Sequence, residues 1–274
     1  MVPLKELLNF SILPIDKPSG PTSFQVSSLI KNKLNLTKTS HFGTLDPMVS
    51  GVLPVALGRA CRLNEWFMHK DKTYVGIMRL HEEVDKKKLD ATITQFIGKI
   101  NQLPPVRSRV KRAIREREVK SFDILEQEGT DILFHTIVQA GTYIRKLIHD
   151  IGEELGGAHM LELRRIQASI FTEPSYTLYE VDKALEALKA GDETPLRKML
   201  IPATEAIQKV LPLVQAQPSI VPMFLKGKPV MAKDILGKAP DAPYYALYHN
   251  DRLISIVKTV KEGTIIARPQ FVYN

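Results

Sequence analysis

The loop His41-Phe42-Gly43-Thr44-Leu45-Asp46-Pro47 sets a carboxylate directly before a proline. Pro47 disfavours helical geometry at Asp46, and Gly43 lets the backbone come close to another group, so the carboxylate is held in a tight, extended loop. An aspartate in that setting can act as a nucleophile when a cation orients it, and it can equally make an Asx turn or cap a helix. Arg145 is a candidate for a partly buried ion pair, since a guanidinium makes charge-assisted hydrogen bonds to carboxylates. Between Ile144 and Leu147 it lies close to an inward-facing stripe, although the same position also suits a surface arginine. A second feature is the run Val106 to Lys120, with Arg107, Arg109, Lys111, Arg112, Arg115, Arg117 and Lys120 against Glu116 and Glu118. It reads either as a grip on phosphates or as a solvated charged face.

The elements that must position these groups follow from periodicity and turn chemistry. Ile12 to Ile15 reads as a buried strand, Lys17 to Pro21 as a turn, and the helix after Thr22 or Ser23 places Val26, Leu29 and Ile30 on one face. Gly51 to Leu57 and Tyr74 to Leu80 are strands, and Val119 to Leu125 with Ile132 to Val138 form a hairpin turning near Gly129 and Thr130. Ile144, Leu147, Ile148, Ile151 and Leu155 give an amphipathic helix ended by Gly156 and Gly157. Leu178 to Ala190 and Leu196 to Val210 are two further helices. Strands and helices mix without βαβ alternation, which predicts an α+β fold around a mixed, largely antiparallel central sheet with flanking helices. Pro202, Pro212, Pro218 and Pro222 put a boundary near residue 211, giving domains 1–210 and 211–274. The second is small and β-rich, with strands at Tyr244 to His249, Arg252 to Val257 and Gly263 to Ala267 and a turn at Asn250 and Asp251. Among its basic residues are Lys226 and Lys228.

A chain of 274 residues, 44% of them hydrophobic, can bury a large core and a small one. Its formal charge of +8 favours polyanionic partners, because each neutralised phosphate releases counterions, so nucleic acid leads the possible partners. The single cysteine, Cys61, excludes an intramolecular disulfide and a multi-cysteine zinc site, fits a reducing cytoplasm, and is expected in the core. Neither a signal peptide nor a membrane-length apolar run is apparent, which predicts a soluble, cytoplasmic protein without membrane association.

The stretch GTLDPMVSGVLPVALGRA, Gly43 to Ala60, resembles the catalytic motif of the TruB and dyskerin family of RNA pseudouridine synthases. DKPSGPTS from Asp16 resembles the family's Lys-Pro motif through Lys17 and Pro18. KTYVGIMRLH from Lys72 carries Tyr74 at the active-site tyrosine, GTYIRKLIHDIG from Gly141 supplies Arg145, and AHMLELRR from Ala158 supplies the pocket residue Leu163. The motifs occur in the family's order across nearly the whole larger domain.

The resemblance implies a pseudouridine synthase fold carrying a C-terminal PUA RNA-binding domain, and isomerisation of uridine with no metal or cofactor. It implies Asp46 as nucleophile and Tyr74 as the ring that stacks on the uracil. His41 is linked to the flipped-out nucleotide, and Lys17, Pro18 and Leu163 shape the pocket. The basic run corresponds to an RNA-facing loop, in which Arg109 departs from the small residue usual after the serine. A short connection from Tyr74 to Pro105, without the insertion of bacterial tRNA enzymes, resembles the archaeal and eukaryotic branch, and the lack of lysine-rich tails points to an archaeal form. That branch implies box H/ACA guide RNA, rRNA and tRNA as nucleic-acid partners. Its protein partners are a small zinc-binding subunit, a Gar-type β-barrel subunit and a kink-turn-binding protein. Alternatives are a stand-alone tRNA synthase acting without guide RNA and, less in keeping with Asp46, Tyr74 and Arg145 occurring together, a catalytically inert RNA-binding scaffold. The short segment before the first strand departs from relatives whose longer tails pack on the PUA domain.

Overall fold

The computed structural model describes residues 2–104 and 111–274. Contacts divide the chain into one compact unit of Ile12–Leu200 and another of Met1–Ser11 with Ile201–Asn274.

In chain order, α1 (Leu4–Asn9) precedes β1 (Ser11–Lys17), α2 (Ser23–Lys33), β2 (Thr39–His41) and β3 (Ser50–Leu57). A 3-10 turn, Gly58–Leu63, and α3 (Asn64–Met68) lead to β4 (Lys72–Leu80), α4 (Lys86–Gln95), β5 (Gly98–Gln102), β6 (Arg115–Glu128) and β7 (Asp131–Val138). Then come α5 (Ile144–Glu153), β8 (Ala158–Ala168), β9 (Phe171–Thr172), α6 (Leu178–Lys189) and α7 (Thr194–Met199).

The first unit is built on the strand order β1-β3-β8-β4-β7-β6-β5, with β2 beside β3 and β9 beside β8. Among the described residues its ladders are antiparallel except β3 with β8, which run parallel. This is the mixed, largely antiparallel sheet and α+β class that the pattern predicts. Every residue of β3 after Ser50 is buried, in keeping with a strand covered on both faces. Thr22 caps α2 in a reciprocal box with Gln25, which fixes where the helix starts. Helix α5 buries Ile144, Leu147, Ile148 and Ile151 and packs so tightly on β8 that a Cβ at Gly152 would lie 2.3 Å from the Ala158 nitrogen.

Several expectations need correction. Leu29 is 38% exposed, and Ser27 rather than Leu29 joins Val26 and Ile30 on the buried face of α2. The connection after β4, for which no element was expected, holds α4, capped by the Asp85 side chain accepting from the Lys88 nitrogen, and then β5. The helix expected over Leu196 to Val210 is interrupted by the extended pair β10 (Ile201–Pro202) before α8 (Ala203–Gln208). Pro202 lacks an N–H and pushes Ile201 out of helical geometry, so one helix cannot run through. Cys61 is half-buried on the 3-10 turn, not enclosed in the core.

The second unit joins α1 and α8 to β11 (Leu213–Ala216), a short α9 (Val221–Phe224), β12 (Val230–Met231), β13 (Ile235–Leu236), β14 (Tyr244–His249), β15 (Arg252–Glu262) and β16 (Ile265–Val272). The sheet order is β12-β16-β15-β14-β11-β13 around Val214, Phe224, Val230, Tyr245, Leu247, Ile254 and Val257. Strand β15 runs to Glu262, and Gly263, at φ +59°, makes the turn into β16. Phe10 stacks on Phe271 at 5.7 Å and on Tyr273 at 4.4 Å, so the segment before β1 forms part of this unit's apolar packing.

Candidate active site

The loop from His41 to Ser50 is fixed from both sides. Phe42 is buried and stacks on Phe67 at 4.8 Å, while its N–H donates to the Pro54 carbonyl at 2.9 Å. Ser23, buried at the start of α2, donates from its hydroxyl to the Leu45 carbonyl at 2.9 Å and accepts from the Leu45 N–H at 2.8 Å. Beyond the aspartate, the Lys17 ammonium is buried and donates to the carbonyls of Pro18 and Pro21 at 2.8 Å and of Pro47 at 2.9 Å. The Gly20 N–H donates to the same Pro47 carbonyl at 2.9 Å. Asp46 is thus bracketed by two anchored neighbours, Leu45 and Pro47, and its own carbonyl accepts from the Val49 N–H at 3.0 Å.

On the open side of the loop, the Arg145 guanidinium donates to Asp46 Oδ2 at 2.5 Å, bringing together residues from the loop and the first turn of α5. The side chains are 62% and 49% exposed, so both remain accessible to a substrate. Met48 and Phe24, 75% and 72% exposed, add apolar surface on the segments that flank the aspartate.

Beneath the loop sits Arg165, only 1% exposed. Its Nε donates to the Val52 carbonyl at 2.9 Å and a terminal nitrogen to the Gly43 carbonyl at 3.0 Å. Arg165 on β8 is the cross-strand partner of Tyr74 on β4, and the phenol interacts with the guanidinium. Burial, and then the charge of Arg165, depress the proton affinity of His41. For Lys17 burial is the main depressing cause, opposed by Asp46 and joined by Arg165. Burial with Arg165 brings Lys72 down to about 8, against a smaller opposing effect of Asp71. Lys72 is buried with its ammonium donating to the Met68 and Lys70 carbonyls. Lys17, Lys72 and Arg165 are thus three buried basic side chains around the loop that carries Asp46. His41 ends β2 and its ring contacts the Thr44 hydroxyl at 3.2 Å.

Leu163 lies two residues before Arg165 on the same buried side of β8, opposite Gly76. A Cβ on Gly76 would come within 3.0 Å of a Leu163 methyl and 2.8 Å of the Phe134 ring, so the glycine makes room for both. Lys17, Pro18, His41, Asp46, Tyr74, Arg145 and Leu163 all belong to this first unit. Sequence reasoning missed Arg165 and Ser23, which hold the loop from within, and the buried Lys72 beside them.

The basic run is only partly open. Arg107 and Arg109 lie outside the described residues, while Lys111 and Arg112 are exposed in the irregular segment before β6. Lys120 pairs with Asp71, and the Arg117 guanidinium packs over Gly141, 3.2 Å from where a Cβ would stand. In the second unit Lys226 is exposed, whereas Lys228 is bound to the buried carboxylate of Asp234 and lies over the Phe224 ring. Among the described residues, no group of three or more His, Cys, Asp or Glu side chains could hold a metal ion, and no helix is long and apolar enough to cross a membrane.

The model of the TruB family pseudouridylate synthase N-terminal domain matches residues 31–144, and that of the tRNA pseudouridylate synthase B C-terminal domain matches 145–208. The probable tRNA pseudouridine synthase B of Methanopyrus kandleri is 43% identical over 237 residues, which is 85% of this chain and 70% of that protein. This chain belongs to the TruB family of pseudouridylate synthases. The TruB-family protein of Methanothermobacter thermautotrophicus bearing the same description is 42% identical over 84% of this chain and 72% of its own length. Among solved structures, this TruB-family fold matches a Cbf5-Nop10-Gar1 complex with a TM-score of 0.90 and 39% identity, over 98% of this chain and 87% of that one. It also matches an H/ACA RNP bound to a substrate RNA containing 2′-deoxyuridine, with a TM-score of 0.89 and 36% identity, over 99% of this chain and 87% of that one.

Proposed function

We propose that this TruB-type synthase isomerises uridine in RNA with Asp46 as its nucleophile, as the catalytic subunit of an H/ACA guide particle. The observation that carries the assignment is the Arg145–Asp46 contact, an oriented carboxylate left open to solvent on an anchored loop. The reaction breaks the bond between C1′ and N1, turns the uracil, and forms a bond between C1′ and C5. The C5 proton leaves and N1 gains one, so no electrons are exchanged. Asp46 attacks C6 of the base or C1′ of the sugar, or assists through a glycal formed by loss of a sugar proton. Tyr74 receives the face of the flipped uracil and helps remove the C5 proton, His41 supports the extruded nucleotide, and Leu163, Lys17 and Pro18 shape the pocket. Lys111 and Arg112, with Arg107 and Arg109, contact the phosphates of the RNA.

The guided role is supported by the likeness to chains solved as a Cbf5-Nop10-Gar1 complex and as a substrate-bound H/ACA RNP. On this reading the partners are guide RNA, rRNA, a small zinc-binding subunit, a Gar-type β-barrel subunit and a kink-turn-binding protein. Residues 1–210 act as the catalytic domain, and residues 211–274 act as a PUA domain that holds the guide's single-stranded end, with Lys226 at its surface. A second reading, modification of the tRNA T-loop without a guide, is favoured by the description of the relatives as probable tRNA pseudouridine synthases B. Action in the cytoplasm belongs to the same proposal and is supported by the lone cysteine. The test measures pseudouridine in unmodified tRNA and in a guided target RNA, with and without guide and partner proteins, using Asp46→Ala as control. Activity confined to the assembled particle supports the guided role, activity on tRNA alone supports the second reading, and activity that survives Asp46→Ala overturns the mechanism.

A further inference from the structure

We propose that Arg165 is a positioning residue for Tyr74, acting from the protein interior while Arg145 acts on Asp46 from the solvent side. The assignment rests on the pseudouridine synthase reading above. Arg165 and Tyr74 stand opposite each other on β8 and β4, and cross-strand partners present their side chains on one face of the sheet. The guanidinium is 1% exposed, and its neighbours Lys17, His41 and Lys72 lose proton affinity chiefly through burial and in smaller part through its charge. An arginine in such a place is unfavourable unless its hydrogen bonds are met, and an apolar side chain of similar volume would fill the space without that cost. Two bonds go to backbone carbonyls, Val52 on β3 and Gly43 on the loop that carries Asp46. The third interaction is with the phenol of Tyr74.

Two glycines let the backbone come close to Arg165. A Cβ on Gly51 would lie 2.2 Å from the Arg165 carbonyl oxygen, and one on Gly43 would already touch the guanidinium at 3.5 Å. The planar fork of an arginine can bond the loop, β3 and the phenol in one rigid geometry, which a point charge cannot. Arg165 thereby sets the ring of Tyr74 relative to the loop of Asp46. A phenol that faces a fixed guanidinium across the strand pair is held in one orientation by it. A merely architectural arginine would staple Gly43 to Val52 and be indifferent to the tyrosine hydroxyl.

A double-mutant cycle separates the two roles. Single-turnover pseudouridine formation at saturating RNA is compared for the wild type, Arg165→Gln, Tyr74→Phe and the double variant, in whichever assembly makes the wild type active. RNA affinity and thermal melting are followed alongside. The expected result is a loss of about 100-fold for Arg165→Gln in the wild-type background and less than about 3-fold in the Tyr74→Phe background, with RNA affinity unchanged. Losses that multiply, or a loss that appears only as weaker RNA binding, overturn the proposal. Should Arg165→Gln not fold, Arg165→Lys, which keeps the charge without the fork, is read through the same cycle with Tyr74→Phe. An inactive wild type, or an active Asp46→Ala variant, overturns the enzyme reading beneath the proposal. Multiplying losses in an active wild type overturn the proposal alone.

Discussion

Lys17 and Pro47 are joined by an ammonium-to-carbonyl hydrogen bond of 2.9 Å that anchors the chain immediately after Asp46. Lys17→Met keeps the apolar stem and leaves the Pro18, Pro21 and Pro47 carbonyls without this donor. Pro47 keeps the Gly20 donor, while the part-buried carbonyls of Pro18 and Pro21 lose theirs at roughly 1 kcal/mol each, for an expected loss of about 2 kcal/mol. Denaturant melts should show that loss, and turnover should fall further than the remaining folded fraction explains. Full activity per folded molecule would mean that the anchor does not position Asp46.

Arg145→Met should separate activity from stability. An ion pair this exposed contributes less than about 1 kcal/mol, so Tm should stay within about 3 °C of the wild type. The rate of pseudouridine formation should drop by roughly 100- to 1,000-fold, the scale of losing an oriented charge at a reacting centre. A large fall in Tm with a small fall in rate would reverse that assignment.

Gly51→Ala should disrupt the sheet at its parallel ladder. The residue sits at φ +102°, and the added Cβ would overlap the backbone of Arg165 at 2.2 Å. Strain and displacement together should cost more than about 3 kcal/mol. Hydrogen exchange in β3 and β8 should rise sharply, and a near-wild-type melt would contradict the close approach.

Lys72 gives stability a pH dependence of defined sign. Burial brings its pKa down to about 8 from the ordinary lysine value of 10.5, so between those values the unfolded chain binds more protons and stability rises with pH. Below pH 8 both states carry the proton and the burial cost is fully present. The full rise is on the order of 3 kcal/mol. Tyr245 and Tyr248, pushed up to about 12 by burial, act in the opposite sense only above the ordinary phenol value of 10. Urea melts between about pH 8 and pH 10 should therefore show the wild type gaining stability and Lys72→Met gaining much less. Equal slopes would place the effect elsewhere.

Phe10→Ala removes a ring stacked on Phe271 and Tyr273 and should destabilise the second unit by about 3 kcal/mol. Limited proteolysis should then cut within 201–274 before it cuts within 12–200. Unchanged cleavage would show that the first segment is dispensable to that unit.

Residues with plain periodicity were legible in the sequence: the stripe of α5, the hairpin of β6 and β7, and the strand carrying Tyr74 emerge where expected. The loop around Asp46 was legible through its proline and glycine together with the family motif, but not as chemistry on its own. Strand β8 was not recognised as a strand because Glu162, Arg164, Arg165 and Gln167 make it look polar. Its alternation nevertheless holds: Leu163 and Arg165 are buried and Arg164, between them, pairs with Asp16 and Glu173. A buried arginine is invisible to hydrophobic patterning, since what permits it is a set of carbonyls and glycines far away in sequence. Lys17 escaped as an anchor for the same reason, its acceptors being backbone oxygens that carry no residue signature. Two strand neighbours of Arg165, Gly51 and Tyr74, come from opposite sides of the sheet order, so only the fold reveals that they share one partner.

The second unit draws Met1–Ser11 and Ile201–Asn274 together, with Phe10 against Phe271 and Tyr273. Residues 1–11 are synthesised before the whole of Ile12–Leu200, and the aromatic partners of Phe10 after it. Domains generally fold as units in the order of synthesis, so the catalytic unit can close while Phe10 still lacks its partners. Phe10 then waits, uncovered, for Phe271 and Tyr273 while the intervening unit is made, and a chain cut short before β16 never covers it.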